Sequence, residues 1–231
     1  MYSVNFHSVA FSLLSLIAAA FSSSPQHHHL PSLKDQASLV NSWRSLRIAH
    51  LPEILEKNKV DAWLLSQKEY AEDTAFWSLK SATQLSARRR TISVYFSSSS
   101  KCSAQSHTWI DITENIWDDV RAVLEECDPK RIAVNTDPQV AFASGLHKGE
   151  YDNLVKFLGP KWSDRFVNQP MVAVEYISKM PKQQLGWYRK LMETAWAMIS
   201  EGLSEKVITP EKTTTEVRIA PFSFDTARVM F

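Results

Sequence analysis

Short apolar runs along the chain alternate with segments of helical period. The clearest unit spans residues 60–96, VDAWLLSQKEYAEDTAFWSLKSATQLSARRRTISVYF, in which two apolar ends (60–65 and 91–96) bracket an acidic turn, an aromatic segment and a basic turn. Runs of this length, rich in β-formers and bounded by polar residues, suit buried strands. Upstream, from Asp35 onward, Leu39, Trp43, Leu46 and Leu51 approximate one helical face; Pro52 marks a break and 53–57 form a second helical turn. Downstream, 97–100 reads as a surface loop and 107–112 (HTWIDI) as a strand, with Asp111 and Thr113 preparing a helix over 114–127. Ile116, Val120, Val123 and Leu124 share a face of that helix, and Asp128 with Pro129 ends it. Residues 131–135 (RIAVN) form a buried-type strand, 150–158 a short amphipathic helix closed by Gly159 and Pro160, and 165–168 a last extended segment. From Pro181 the longest helix runs over 182 to about 206, with Leu185, Tyr188, Met192, Ala195, Trp196, Ile199 and Leu203 on one broad face. The alternation of strand and helix predicts an α/β fold with strand directions left open, and so wide a stripe requires a partner surface.

Composition narrows this picture. With 231 residues, 44% of them hydrophobic and 11% aromatic, the chain can bury one good core. Lys+Arg 26 against Asp+Glu 25 leaves a formal charge of +1, so no global field selects nucleic acid, an anionic membrane or a polyacidic substrate. Cys102 and Cys127 are too few for a disulfide scaffold and lack C-x-x-C spacing; they can pair once or remain free. Residues 9–21, VAFSLLSLIAAAF, have the length of a signal-peptide apolar region, and Ala18, Ala19 and Ala20 offer a small-residue cleavage site, although residues 1–8 hold no Lys or Arg. The expectation is a signal peptide over 1–24, export or secretion, and no stable membrane anchor, because the run is shorter than the ~20 residues a span needs. A flexible segment, 25–35, follows. Its His27, His28 and His29 carry imidazoles that suit a transition metal, but no thiolate or carboxylate stands near them in sequence, so no metal is expected there.

The candidate chemistry is local. Arg88, Arg89 and Arg90 are three adjacent cations able to clamp a carboxylate or phosphate, since guanidinium donors form bidentate pairs. Glu69, Glu72 and Asp73 in the preceding turn can neutralise them across the motif, and this structural pairing is the favoured expectation. Tyr70, Phe76 and Trp77 could stack on bases while the arginines held phosphates, but the near-neutral charge and the export signal argue against nucleic acid. His147 and Glu150 stand at i, i+3, yet two ligands do not make a metal site, so loop-to-helix capping is expected of them. No G-x-S-x-G or H-E-x-x-H motif occurs, and the five glycines form no phosphate-cradling loop.

The central motif resembles the N-terminal domain of the creatinase/prolidase/aminopeptidase P type of pita-bread metallopeptidases. RIAVNTD, AFASGLHKGEYDNL, KWSDRFV and YISKMPKQQLGWYRKLMETAWAMISEGLSEKVITP follow in the order such proteins use, so the resemblance covers about residues 45–215. It implies an α/β domain with a mixed sheet flanked by helices (36–174), followed by the long amphipathic helix of an incomplete pita-bread domain (175–216). It also implies a parent activity of metal-dependent peptide hydrolysis, with X-Pro bonds among the candidate substrates. The family's second domain uses two Asp, one His and two Glu to hold two divalent ions and a bridging water, which the ions activate. Those ligands have no counterpart here: His147 is the last histidine, and Asp225 is the only Asp after Pro181. Residues 217–231 match nothing in the family pattern. The resulting expectation is a non-catalytic N-terminal fragment with no catalytic residue, metal ligand or cofactor of its own, acting through association with a second copy or the missing catalytic domain. The alternative is peptidase activity with a complementary chain that supplies the metal site. By the same resemblance, Arg88, Arg89 and Arg90 become interface residues or contacts to a substrate terminus in a dimer.

Overall fold

The computed structural model describes residues 27–213 except Arg88, Ala104 and Lys206. The signal-peptide expectation, the 217–231 tail and Arg88 itself lie outside the described residues. Two compact units are present, one comprising 31–184 and the other the described residues of 1–30 and 185–231.

The larger unit is α/β. Helices α1 (Leu33–Ile48) and α2 (Leu51–Lys57) precede β1 (Ala62–Gln67), the short α3 (Phe76–Leu79), β2 (Arg90–Phe96) and β3 (Ser106–Asp111). Then come α4 (Asn115–Cys127), β4 (Ile132–Val134), a 3-10 turn (Ala141–Ala143), α5 (Lys148–Leu158), α6 (Pro160–Ser163), β5 (Phe166–Asn168) and α7 (Pro170–Ser178). The five strands form one mixed sheet in the order β3-β2-β1-β4-β5. β1 runs antiparallel to β2 and parallel to β4; β2 and β3 are antiparallel, and β4 and β5 parallel.

The two apolar ends of the central motif are thus paired neighbours, with Ala62 opposite Phe96 and Gln67 opposite Thr91. Each is buried on both faces, which is why each reads as a continuous apolar run. Ala62, Leu64, Ile92, Val94 and Phe96 face a core completed by Ile116, Trp117, Val120 and Leu124 of α4 and Leu154 and Leu158 of α5. Trp63, Leu65 and Tyr95 face the opposite core, built with Leu51 and Leu55 of α2, Leu79 of α3, and Val172, Ala173 and Tyr176 of α7. A three-layer sandwich results, its sheet covered on both sides.

Several expectations need adjustment. α1 fully buries none of its residues: Leu39 and Trp43 are half-buried and Leu46 is exposed, while Leu51 belongs to α2, which carries Pro52 in its first turn. α4 begins after Glu114 without a side-chain cap, and Asp111 instead accepts from the Thr113 amide at 2.9 Å. Gly159, at φ +77°, closes α5, but Pro160 opens another helical turn and does not end the helical stretch. α7 was not foreseen, although Pro170 in its first turn is a helix-start signal. Residues 174 and 175 lie within α7, and the two compact units divide between Gln184 and Leu185.

Cys102 and Cys127 form a disulfide with a Cα separation of 5.3 Å, which ties the β2–β3 connection to the last residue of α4. In the smaller unit, α8 (Lys182–Gly202) buries Thr194 and Ala197. The His27–Leu30 stretch lies against this helix: the His28 amide donates to Thr194 Oγ1 at 3.2 Å, and its Nε2 lies 2.6 Å from Glu193. His27 approaches Glu201 at 3.7 Å. The described residues of the histidine tract thus lie along α8, with the His27 and His28 imidazoles facing separate carboxylates.

Candidate functional site

Arg90, Lys68, Asp73, Asn135 and Asn168 all lie near the end of the sheet at which β1, β4 and β5 finish and β2 starts. Polar groups crowd this end, organised in two networks.

The first network centres on Glu150 in the opening turn of α5, a carboxylate only 1% exposed. Arg90 grips it through two donors, Nε to Oε2 at 3.1 Å and a terminal nitrogen to Oε1 at 3.3 Å. Ser66 Oγ donates to Oε2 at 3.1 Å, Asn153 Nδ2 to Oε1 at 3.4 Å, and Lys68 Nζ stands 3.6 Å away. The Arg90 guanidinium also lies over the Trp117 ring at 5.1 Å. Burial pushes the Glu150 carboxyl upward, but Arg90, Ser66 and Lys68 together outweigh it and hold the group below its ordinary range. Glu150 is therefore a buried ion-pair anchor, and His147, the residue before α5, makes no side-chain cap.

The second network centres on Asp73. Its Oδ1 accepts from the Ala75 amide at 2.9 Å and from Asn135 Nδ2 at 2.8 Å, while Asn135 Oδ1 accepts from Trp63 Nε1 at 3.0 Å. Gly145 packs so closely that a Cβ there would stand 2.4 Å from the Thr74 nitrogen and 2.7 Å from Asp73 Oδ1, so only glycine fits. The second Asp73 oxygen is buried without a partner among the described residues. Burial raises the Asp73 carboxyl above its usual 3.8, ahead of the opposing bonds from Ala75 and Asn135. A carboxyl with a raised folded-state pKa contributes stability at low pH that is lost as pH rises through that pKa. Asp73→Asn removes the titration, so the stability of wild type minus that of the variant is expected to fall as pH rises above 3.8 through the raised folded-state pKa; urea midpoints across a pH series measure it, and a flat difference contradicts the assignment.

The predicted charge pairing across the motif takes a different form. Among the described residues, neither Arg89 nor Arg90 pairs with Glu69, Glu72 or Asp73; the partner of Arg90 is Glu150, sixty positions away. Arg89 is exposed and leaves the β2 network, while Glu72 Oε1 accepts from the Ala87 amide at 3.4 Å. Arg89 stands in a bend before β2, whereas Arg90 opens β2 on the sheet face that meets Glu150.

A third feature escaped sequence reasoning. On the sheet face opposite Glu150 the register aligns Gln67–Thr91–Ile110 and Leu65–Ser93–Thr108 in two cross-strand rows. Leu65, Gln67, Thr91, Ser93 and Thr108 of these rows floor a cleft roofed by Arg44 of α1, Phe76 and Leu79 of α3, and Lys80 and Gln84. No single residue or spacing announces it, since its members are scattered over six segments.

Among the described residues, no group of three or more His, Cys, Asp or Glu could hold a metal ion, and no helix is long and apolar enough to cross a membrane. The described residues thus do not fit the two-metal centre that the resemblance associates with a second domain. Compared with known proteins, the chain matches no family model, no curated protein and no solved structure.

Proposed function

We propose that this chain is an accessory α/β module of the creatinase/prolidase N-terminal type, exported from the cell, which works through protein association and performs no hydrolysis by itself. The observation that carries this reading is α8. Leu185, Tyr188, Met192, Ile199 and Leu203 are exposed along one face, and Trp196 is 66% exposed, while the buried Thr194 and Ala197 lie on another. A stripe of that length on a soluble helix marks an interaction surface. Two further observations support the reading. The mixed sheet with helices on both faces is the architecture the resemblance implies, and the Cys102–Cys127 disulfide suits an oxidising compartment. The parent class would be metal-dependent peptidases, whose two divalent ions belong to a domain other than this one.

Two measurements test the proposal. In sedimentation velocity the full chain is expected to associate with rising concentration, and Ile199→Glu with Leu203→Glu, both on the exposed face, is expected to restore a monomer without changing the urea midpoint. A wild-type chain that stays monomeric and binds no hydrophobic dye would sink the association role. Separately, the purified chain incubated with Mn²⁺, Co²⁺ or Zn²⁺ and an X-Pro peptide is expected to show no turnover; metal-dependent cleavage that survives removal of contaminants overturns the non-catalytic reading.

A further inference from the structure

The cleft between α1, α3 and the β1-β2-β3 face holds a built polar site. Gln67 is 1% exposed, and its Oε1 has no hydrogen-bond partner among the described residues, although it lines a cleft open to solvent. Leaving a buried acceptor unmatched is costly, and a core glutamine with no structural bond indicates a group kept for another partner. Around it the floor is satisfied: Ser93 Oγ and Thr108 Oγ1 bond each other at 3.1 Å, and Thr91 Oγ1 donates to the Arg89 carbonyl at 3.4 Å. Of the buried side-chain polar atoms without a partner among the described residues, only Gln67 Oε1 belongs to the lining of this cleft.

Across the cleft stands Arg44. Its Nε donates to the Leu79 carbonyl, which fixes the guanidinium, and among the described residues no carboxylate pairs with it. Lys80 adds a second cation to the lining, its Nζ donating to the Gln84 carbonyl at 2.6 Å. An acceptor without a donor and an anchored cation without an anion define complementary chemistry. The cleft encloses about 30 Å³, room for roughly two waters or a carboxylate-sized group. Beyond it, Gln84 and Thr91 also line an adjoining groove of about 350 Å³ that reaches Leu85 and Ile110, where a larger body can lie.

We propose that this cleft binds a short carboxylate that carries a hydrogen-bond donor beside it, with the carboxylate on the Arg44 guanidinium and the donor on Gln67 Oε1. Free α-hydroxy and α-amino acids share this chemistry with the C-terminal residue of a peptide. The site is independent of the α8 surface and stands whether or not that surface associates.

The test is an amide-shift NMR titration of the full chain with glycolate, glycine, propionate, and an Ala-Gly dipeptide in free and C-amidated forms. Glycolate or glycine is expected to saturate with shifts at Leu79, Thr91 and Ser93, and propionate, which lacks the donor, to bind more weakly. Tighter binding of the free dipeptide than of glycolate identifies a peptide C terminus as the preferred source; the reverse order identifies the free acid. Gln67→Leu and Arg44→Met are each expected to weaken binding at least about tenfold. Gln67→Leu also keeps or raises the urea midpoint, because an apolar group replaces an unmatched polar one, so lost binding in that variant cannot be lost folding. The proposal is overturned if no probe saturates by about 10 mM, which leaves the cleft as a water site only. It is equally overturned if the amidated dipeptide binds as well as the free one, or if Gln67→Leu binds like wild type.

Discussion

Replacing Glu150 by alanine is expected to destabilise the chain by about 3–5 kcal/mol, the cost of removing one partner from a buried ion pair. The size follows from what remains behind. Arg90, with a side chain 18% exposed, would keep its charge between Trp117 and the sheet with no anion to receive its two donors, and Ser66 would lose its acceptor. Arg90→Ala should cost a similar amount, because it leaves a buried carboxylate whose one remaining cation among the described residues is Lys68, at 3.6 Å and half exposed. The double replacement Arg90→Met/Glu150→Leu should recover most of the loss, since two apolar groups of similar volume carry no desolvation penalty. Urea unfolding of these proteins measures the losses and the recovery, and adding Arg90→Ala/Glu150→Ala closes a double-mutant cycle with the two alanine variants. If the single variants lose less than about 1 kcal/mol, the range of exposed pairs, the pair is solvated and its anchoring role fails. The pH dependence has a defined sign. Because the Glu150 pKa is depressed from 4.5, its contribution is complete above that value and disappears as pH falls through the folded-state pKa.

The second large effect concerns the disulfide. Reduction, or Cys102→Ser with Cys127→Ser, is expected to lower stability by about 3–4 kcal/mol, the loop-closure value for a sequence separation of 25. The local structure makes the loss specific. β3 is an edge strand that pairs only with β2 and alternates between exposed and half-buried residues, so little apolar burial holds it. The disulfide fastens the connection leading into β3 to the end of α4, and both cysteines are buried. Hydrogen exchange should therefore show β3 amides losing protection first in the reduced protein, while β1 and β4 keep theirs. Uniform loss across the sheet, or an unchanged urea midpoint, contradicts this account.

Legibility in the sequence varied with the physical signal. β1 and β2 were readable because both faces of each are buried, which produces an apolar run, and α4 because Ile116, Val120 and Leu124 repeat at helical spacing. α7 was hidden by its own burial: PMVAVEYIS is apolar nearly all round, without the alternation that separates helix from strand. The antiparallel pairing of β1 with β2 was equally hidden, since residues 68–89 between them are too long a connection for turn type to fix the direction. For the polar sites the limit is sharper. Arg90 was singled out as a cation with carboxylates nearby in sequence, yet charges pair through space, and α5 delivers Glu150 closer than the turn delivers Glu69 or Glu72.

By itself, then, the sequence determined the α/β class, the approximate extents of most elements and the apolar stripe of α8, because each is written in local periodicity. Only the tertiary structure decided that Arg90 belongs to Glu150, that Cys102 meets Cys127, and that Arg44 and Gln67 share one cleft. Each of those outcomes depends on sheet order and register, which bring together residues 23 to 60 positions apart and leave no mark on the spacing of any one segment.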